Sequence, residues 1–362
     1  MAEPLVFDVH LDLSLNAVEW NRDLRLPLGD VRKVESHLSD KPGRGRGTVS
    51  LPEMRRGRVG LCVATQLARV EHDAWSPVFG WRSPQQAWAM TQAQLAWYRE
   101  MEEAGEMVQI RDLAGLERHL ALWEGKEGAE AAPLPIGYIL SLEGADSLVT
   151  LRHLERSWEQ GLRAIGPAHF GPGVYAQGTD SVGGFNGRGR DLLKLAESLR
   201  MILDVTHLSD QCFAEAMESY GGVMWASHHN ARSLVPNQRQ LSDGQFRELT
   251  ARGGVVGVAL DAWMMVPGWE RGKTTPESAG LRLGVLVDHI DHYCQLAGNA
   301  RNVGLGTDLD GCFGTEQVPQ DLESIAGLQQ LPGMLRSRGY GEADIDGIMH
   351  GNFLRRLREA WA

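Results

Sequence analysis

Six short apolar runs in this chain end on groups that bind metal ions or move protons. The first ends Phe7-Asp8-Val9-His10-Leu11-Asp12. Others end on Glu143 in Leu142-Glu143-Gly144, on His169, on Asp204-Val205-Thr206-His207, on Ala226-Ser227-His228-His229 and on Gly306-Thr307-Asp308-Leu309-Asp310-Gly311. A lone histidine or carboxylate at such a place is commonplace. Together they form the donor set that zinc and similar ions prefer. Two cations held side by side repel, and a shared anion relieves that. The lysines (Lys33, Lys41, Lys126, Lys194 and Lys273) lie away from these run ends, which removes a carboxylated lysine as the shared group. Glu143 is then the bridging carboxylate. One ion takes His10, Asp12 and Glu143, and a second takes Glu143, His207 and His228. A water between two such ions is a hydroxide near neutral pH, hence a nucleophile.

The elements that must position these groups are legible as a repeat. Apolar, β-rich segments occupy 5–13, 59–68, 136–143, 164–169, 201–207, 223–228, 254–260 and 302–308. Several are nearly continuous apolar runs, as strands covered on both faces are. Helical patterns lie between them at 84–106, 149–160, 189–200, 210–220, 242–252 and 277–297, with Ser209 and Asp210, and Ser242 and Asp243, as N-cap regions. Eight strand–helix repeats predict an α/β fold, a (β/α)8 TIM barrel over a single domain 1–362. An open doubly wound sheet is the structural alternative, but Asp12-Leu13-Ser14-Leu15-Asn16 follows the first strand where a dinucleotide fold needs glycines. Barrels keep their chemistry where strands end, which is where the metal-type residues fall. The long first two gaps place insertions in the early βα loops. Residues 44–48 and 125–135 read as surface loops, and 344–362 as a closing helix.

The bulk composition excludes other classes. With 362 residues, 43% hydrophobic and 23% charged, the chain reads as an ordinary globular protein. A net charge of −11 argues against nucleic acid or an anionic membrane as partner. Cys62, Cys212, Cys294 and Cys312 are scattered, which suits buried free thiols rather than a disulfide framework or a thiolate zinc site. The N-terminus has no basic, long-apolar leader pattern and no run reaches a membrane span, so the expected compartment is the cytoplasm.

The order Asp8-Val9-His10-Leu11-Asp12, Leu142-Glu143-Gly144, Asp204-Val205-Thr206-His207-Leu208-Ser209, Ala226-Ser227-His228 and, after His289-Ile290-Asp291, Gly304-Leu305-Gly306-Thr307-Asp308-Leu309-Asp310-Gly311 resembles the membrane (renal) dipeptidase family of zinc peptidases. The resemblance implies a two-zinc dipeptidase, other divalent ions being admissible, with the ligand set given above. It also implies that His169 faces the substrate and stabilises the oxyanion, that Arg239 holds the substrate's C-terminal carboxylate, and that Asp308 carries the proton from the nucleophile to the leaving amine. It implies a small dipeptide substrate, tolerance of a D-residue at its C-terminal position, and a homodimer as an assembly to test for. The chain departs from the family pattern at Gly166-Pro167-Ala168-His169, at Ala145-Asp146 after the glutamate, and at His229-Asn230 with Arg232. Two rival readings remain: a metal-dependent amidohydrolase, lactonase or phosphoesterase, and a metal-containing binding protein without turnover. Other assignments stay open too. Asp310 is the alternative to Asp308, and Asp8 and Asp204 are candidates to orient imidazoles or to form salt bridges. Trp263, Met264 and Met265 are either pocket wall or core, Cys312 is a packing residue, and His229 faces away from His228.

Overall fold

Eight parallel strands wrap into a nearly closed barrel. A computed structural model describes residues 3–72, 75–124 and 133–362. The strands are β1 (Val6–Leu11), β2 (Val59–Leu67), β3 (Ile136–Glu143), β4 (Leu162–Gly166), β5 (Ile202–Asp204), β6 (Met224–Trp225), β7 (Val256–Val258) and β8 (Val303–Leu305). They neighbour one another in the order β7-β8-β1-β2-β3-β4-β5-β6. A parallel bridge between Ala226 and Val256 joins the two ends. All residues of β1 and β2 are buried, which explains their unbroken apolar character.

Closure depends on two glycines. A Cβ on Gly257 would lie 1.9 Å from the Ser227 carbonyl oxygen, and one on Gly306 would lie 1.8 Å from the same atom. The backbones of β6, β7 and β8 therefore converge where only glycine fits. The opposite end is sealed by Phe353, whose ring meets Phe7 at 6.2 Å and Trp225 at 5.7 Å. That leaves the end carrying Glu143, His207 and His228 for chemistry.

Helices follow the strands, with differences from expectation that have local causes. Ser209 and Ser242 do cap helices Asp210–Ser219 and Asp243–Ala251, accepting from Cys212 N and Gln245 N. The helix expected from 277 begins at Gly284. Gly280 holds φ +61° in the preceding turn, and the Asp321 carboxylate accepts from Leu283 N at 2.7 Å. The C-terminal helix is interrupted by a π-helical turn, Gly347–Gly351, before Asn352–Trp361. There Asn352 Nδ2 donates to the carbonyls of Ala300 and Val303.

Both early insertions are present. The first carries three helices, Leu13–Val18, Leu28–Glu35 and Leu51–Arg56. The second holds a two-strand ladder of Arg69–Val70 with Gly80–Trp81, the long helix Pro84–Glu103, a strand Met107–Gln109 against β3, and a helix Leu113–Glu124 that the sequence reading did not pick out. Residues 44–48 are not simply surface. Gly47 and Thr48 are buried, because Thr48 N and Oγ1 both donate to Asp310 at 2.7 Å. Most of the expected 125–135 loop lies outside the described residues.

Candidate metal centre and active site

The candidate residues converge at the C-terminal ends of the strands. His10 and Asp12 leave β1, Glu143 ends β3, His207 follows β5, and His228 follows β6. Ligand-type atoms of His10, Asp12 and Glu143 gather in one cluster, and those of Glu143, His207 and His228 in another. The Glu143 carboxylate divides between them. Its Oε2 lies 3.4 Å from His10 Nε2. Its Oε1 lies 3.3 Å from His207 Nε2 and 3.5 Å from His228 Nε2. The last two nitrogens are 3.1 Å apart. Asp308 joins His10 and His228 in a third cluster, its Oδ1 being 3.9 Å from His10 Nε2.

Hydroxyls hold the far side of each imidazole. Thr179 Oγ1 lies 2.9 Å from His207 Nδ1. Ser227 Oγ lies 2.9 Å from His228 Nδ1 and 3.3 Å from His10 Nδ1, so one residue touches both clusters. Neither Thr179 nor Ser227 was singled out from the sequence. Thr179 arrives because residues 170–179 double back: Thr179 N donates to the His169 carbonyl, and Gly171 N to that of Thr179. Asp8 and Asp204 do not touch an imidazole ring and form no salt bridge among the described residues. They accept backbone N–H groups instead, Asp8 from His10 and Thr307 and Asp204 from Thr206 and Ser227. Asp310 is likewise committed elsewhere. It accepts from Thr48, Val49 N and Arg22 Nη1, so it ties the first insertion to the loop after β8.

The electrostatics suit a cation site. His10 Nε2 and Glu143 Oε2 are buried without a hydrogen-bond partner among the described residues. Orphaned polar atoms of this kind are costly unless a ligand completes them. Burial keeps His207 and His228 well below the usual imidazole range, leaving them neutral, as metal ligands must be. Burial pushes the Asp308 carboxyl well up, and the neighbouring Asp12 and Glu143 charges add to it. Burial pushes Asp12 to about 6, again with Glu143 contributing. Three crowded carboxylates and three converging imidazoles fit divalent cations by chemistry and by number of donors.

The pocket over this centre is walled by His169, Phe170, Arg239, Asp261, Trp263 and Arg271, among others. Burial lowers His169 to about 4, so it is neutral. Arg239 is 2% exposed. Burial brings it down only to about 10, so it stays charged, and it has no ion pair among the described residues. Asp261 is a pocket residue that the sequence reading missed by ending the seventh run one residue early, at Leu260. It accepts from Trp263 Nε1, Arg271 Nη2 and Gln317 Nε2. Trp263 and Met264 are pocket wall, while Met265 is core. His229 joins none of the ligand clusters. Asp146, at one departure from the family pattern, is a loop tie: it accepts from Val70 N and Val174 N.

His207 and Asp308 adopt φ of 66° and 57°, strained for non-glycine residues and typical of functional sites. Two residues before Asp308, Gly306 packs against the Ser227 carbonyl, and Ser227 in turn contacts His10 and His228. Gly306→Ala is therefore expected to push the Ser227 carbonyl away and spoil both clusters. Metal content measured after zinc loading should fall in the variant while far-UV circular dichroism shows retained helix. Full metal content would show that the close approach is dispensable.

A family model described as membrane dipeptidase (peptidase family M19) matches residues 1–362. An uncharacterised Klebsiella pneumoniae protein from the pqqA 5′ region is 33% identical over 218 residues, covering 58% of this chain and 76% of that protein. Dipeptidase 3 of Rattus norvegicus is 26% identical over 230 residues, 61% of this chain but only 44% of that protein. The fold is shared with a metallopeptidase from Rhodobacter sphaeroides solved with a phosphinate mimic of L-Ala-D-Ala. That match has a TM-score of 0.77 and 24% identity and covers 99% of this chain and 100% of the other. No helix among the described residues is long and apolar enough to cross a membrane. Matched over its whole length by the family model, the chain belongs to the membrane dipeptidase family, peptidase family M19, of metallopeptidases.

Proposed function

We propose that this protein is a two-zinc dipeptidase that hydrolyses the single peptide bond of dipeptides, including those with a C-terminal D-residue. The observation that carries the two-metal reading is the division of Glu143, with one oxygen facing His10 and the other facing His207 and His228. His10, Asp12 and Glu143 would hold one ion and Glu143, His207 and His228 the other. Ions bound there would acidify water and polarise the scissile carbonyl.

The chain's own groups supply the rest. Asp308, clustered with His10 and His228, would take a proton from the attacking water and return it to the leaving amine. His169, neutral and in the pocket wall, donates to the developing oxyanion. Arg239 offers a buried, charged guanidinium with no carboxylate partner, and its Nη1 has no hydrogen-bond partner among the described residues. A substrate carboxylate would complete it bidentately. Such a clamp at fixed distance from the centre limits substrates to short peptides. The D-residue part of the reading draws on the L-Ala-D-Ala mimic bound by the Rhodobacter sphaeroides protein.

A panel of L,L and L,D dipeptides with zinc-loaded protein tests the activity; no turnover of any member would overturn it. The clamp has its own test. Arg239→Met should cost roughly 2–4 kcal/mol in kcat/KM for dipeptides, the range for losing a buried charge-assisted contact. A dipeptide amide, which lacks the carboxylate, should be affected little. Equal losses on both substrates would assign Arg239 to structure instead.

A further inference from the structure

A cavity of about 560 Å³ opens beside the catalytic pocket. Pro77, Val78, Arg271 and Cys312 line both spaces, so the two adjoin. Trp20, Trp75 and Phe79 contribute rings to its wall. Trp75 and Phe79 are 61% and 62% exposed, and exposed aromatic surface beside a concave site marks a place where a ligand packs.

Glu19 lines the same cavity. It directly follows the helix Leu13–Val18, which begins just after Asp12. Its half-buried carboxylate takes one long hydrogen bond, from Gln94 Nε2 at 3.4 Å, and no ion pair among the described residues. Lys41, Arg46 and Arg271 share the wall; Lys41 acts on Glu19 through its charge, but none of the three forms an ion pair with it among the described residues. Lys41 lies over the Trp20 ring at 5.7 Å, and Arg271 is held by Asp261 at 2.9 Å. Arg46 is exposed. Glu316, also on the wall, has Oε2 buried without a hydrogen-bond partner among the described residues. Aromatic rings together with a carboxylate that has no ion pair among the described residues suit an alkyl stem that ends in a cation.

The direction of the substrate follows from where Arg239 and the cavity lie. Arg239 stands on the loop after β6. The cavity is built from the insertions after β1 and β2 with residues of the loops after β7 and β8, and does not include Arg239. With the C-terminal carboxylate at Arg239 and the peptide bond at Glu143, the N-terminal residue points toward the cavity.

We propose, on the basis of the dipeptidase reading, that this cavity receives the side chain of the substrate's N-terminal residue and that Glu19 makes arginine or lysine the preferred residue there. The test compares kcat/KM for Arg-Ala and citrulline-Ala, which share shape but differ in charge, with Ala-Ala as reference. Zinc-loaded wild type and Glu19→Gln are each measured. Wild type should favour arginine over citrulline by on the order of 10- to 100-fold, the worth of a hydrogen bond to a charged group. In Glu19→Gln that ratio should fall to about one; a folding defect would lower both rates and leave the ratio standing. Equal rates for arginine and citrulline in wild type, or a ratio preserved in Glu19→Gln, overturns the proposal while cleavage of Ala-Ala keeps the dipeptidase reading. Absence of cleavage across all three substrates overturns both.

Discussion

Glu143→Gln is expected to lose metal from both clusters and to abolish turnover. The glutamate is the one residue common to the two main ligand groups, and its two oxygens face different histidines. An amide keeps the shape but removes the charge that holds two cations in proximity. Wild-type protein reloaded with zinc should carry about two ions per chain by elemental analysis, and the variant should carry well under one. Loss of a single ion would show that Glu143 serves one metal only. Full occupancy with normal activity would end the two-metal model.

Asp308→Asn is expected to keep both metals and lose catalysis. The side chain lies on the metal face, in a strained backbone position. Asparagine fills the same space but cannot accept the proton. The kcat should fall by roughly 10²–10⁴, the usual worth of a positioned general base. Binding of a non-hydrolysable dipeptide mimic, followed by calorimetry, should persist. The clustering of Asp308 with His10 and His228 supplies the contrary outcome: if metal content drops with activity, Asp308 is a ligand. Asp310, the alternative carboxylate, is committed to structure. Its bonds to Thr48, Val49 and Arg22 make Asp310→Asn a stability mutation that should lower the melting temperature.

The barrel and its ligand-type residues were legible because parallel strands buried on both faces leave unbroken apolar runs, and barrel chemistry sits where those runs stop. Glu143, His207 and His228 needed no more than that. Thr179 and Ser227 escaped because hydroxyl residues are common and carry no spacing signal. Thr179 reaches His207 only because the loop after β4 turns back on itself. Asp8 and Asp204 misled for the opposite reason. A carboxylate near a ligand histidine suggests an orienting role, yet local geometry aims both at the backbone N–H groups of strand ends. The helix Leu113–Glu124 was hidden in a long insertion whose continuation falls outside the described residues. Arg44–Thr48 looked like surface because nothing local announces a distant partner such as Asp310.

Ser227 has a consequence for the protons of the centre. A neutral imidazole that gives its Nε2 lone pair to a metal must keep its proton on Nδ1. His10 and His228 then both donate to Ser227 Oγ, whose two lone pairs they use up. The serine's own proton is left for Thr206 Oγ1, 3.3 Å away. With a metal at each subsite, this one hydroxyl would accept from both rings and so hold the same tautomer on both sides of the centre.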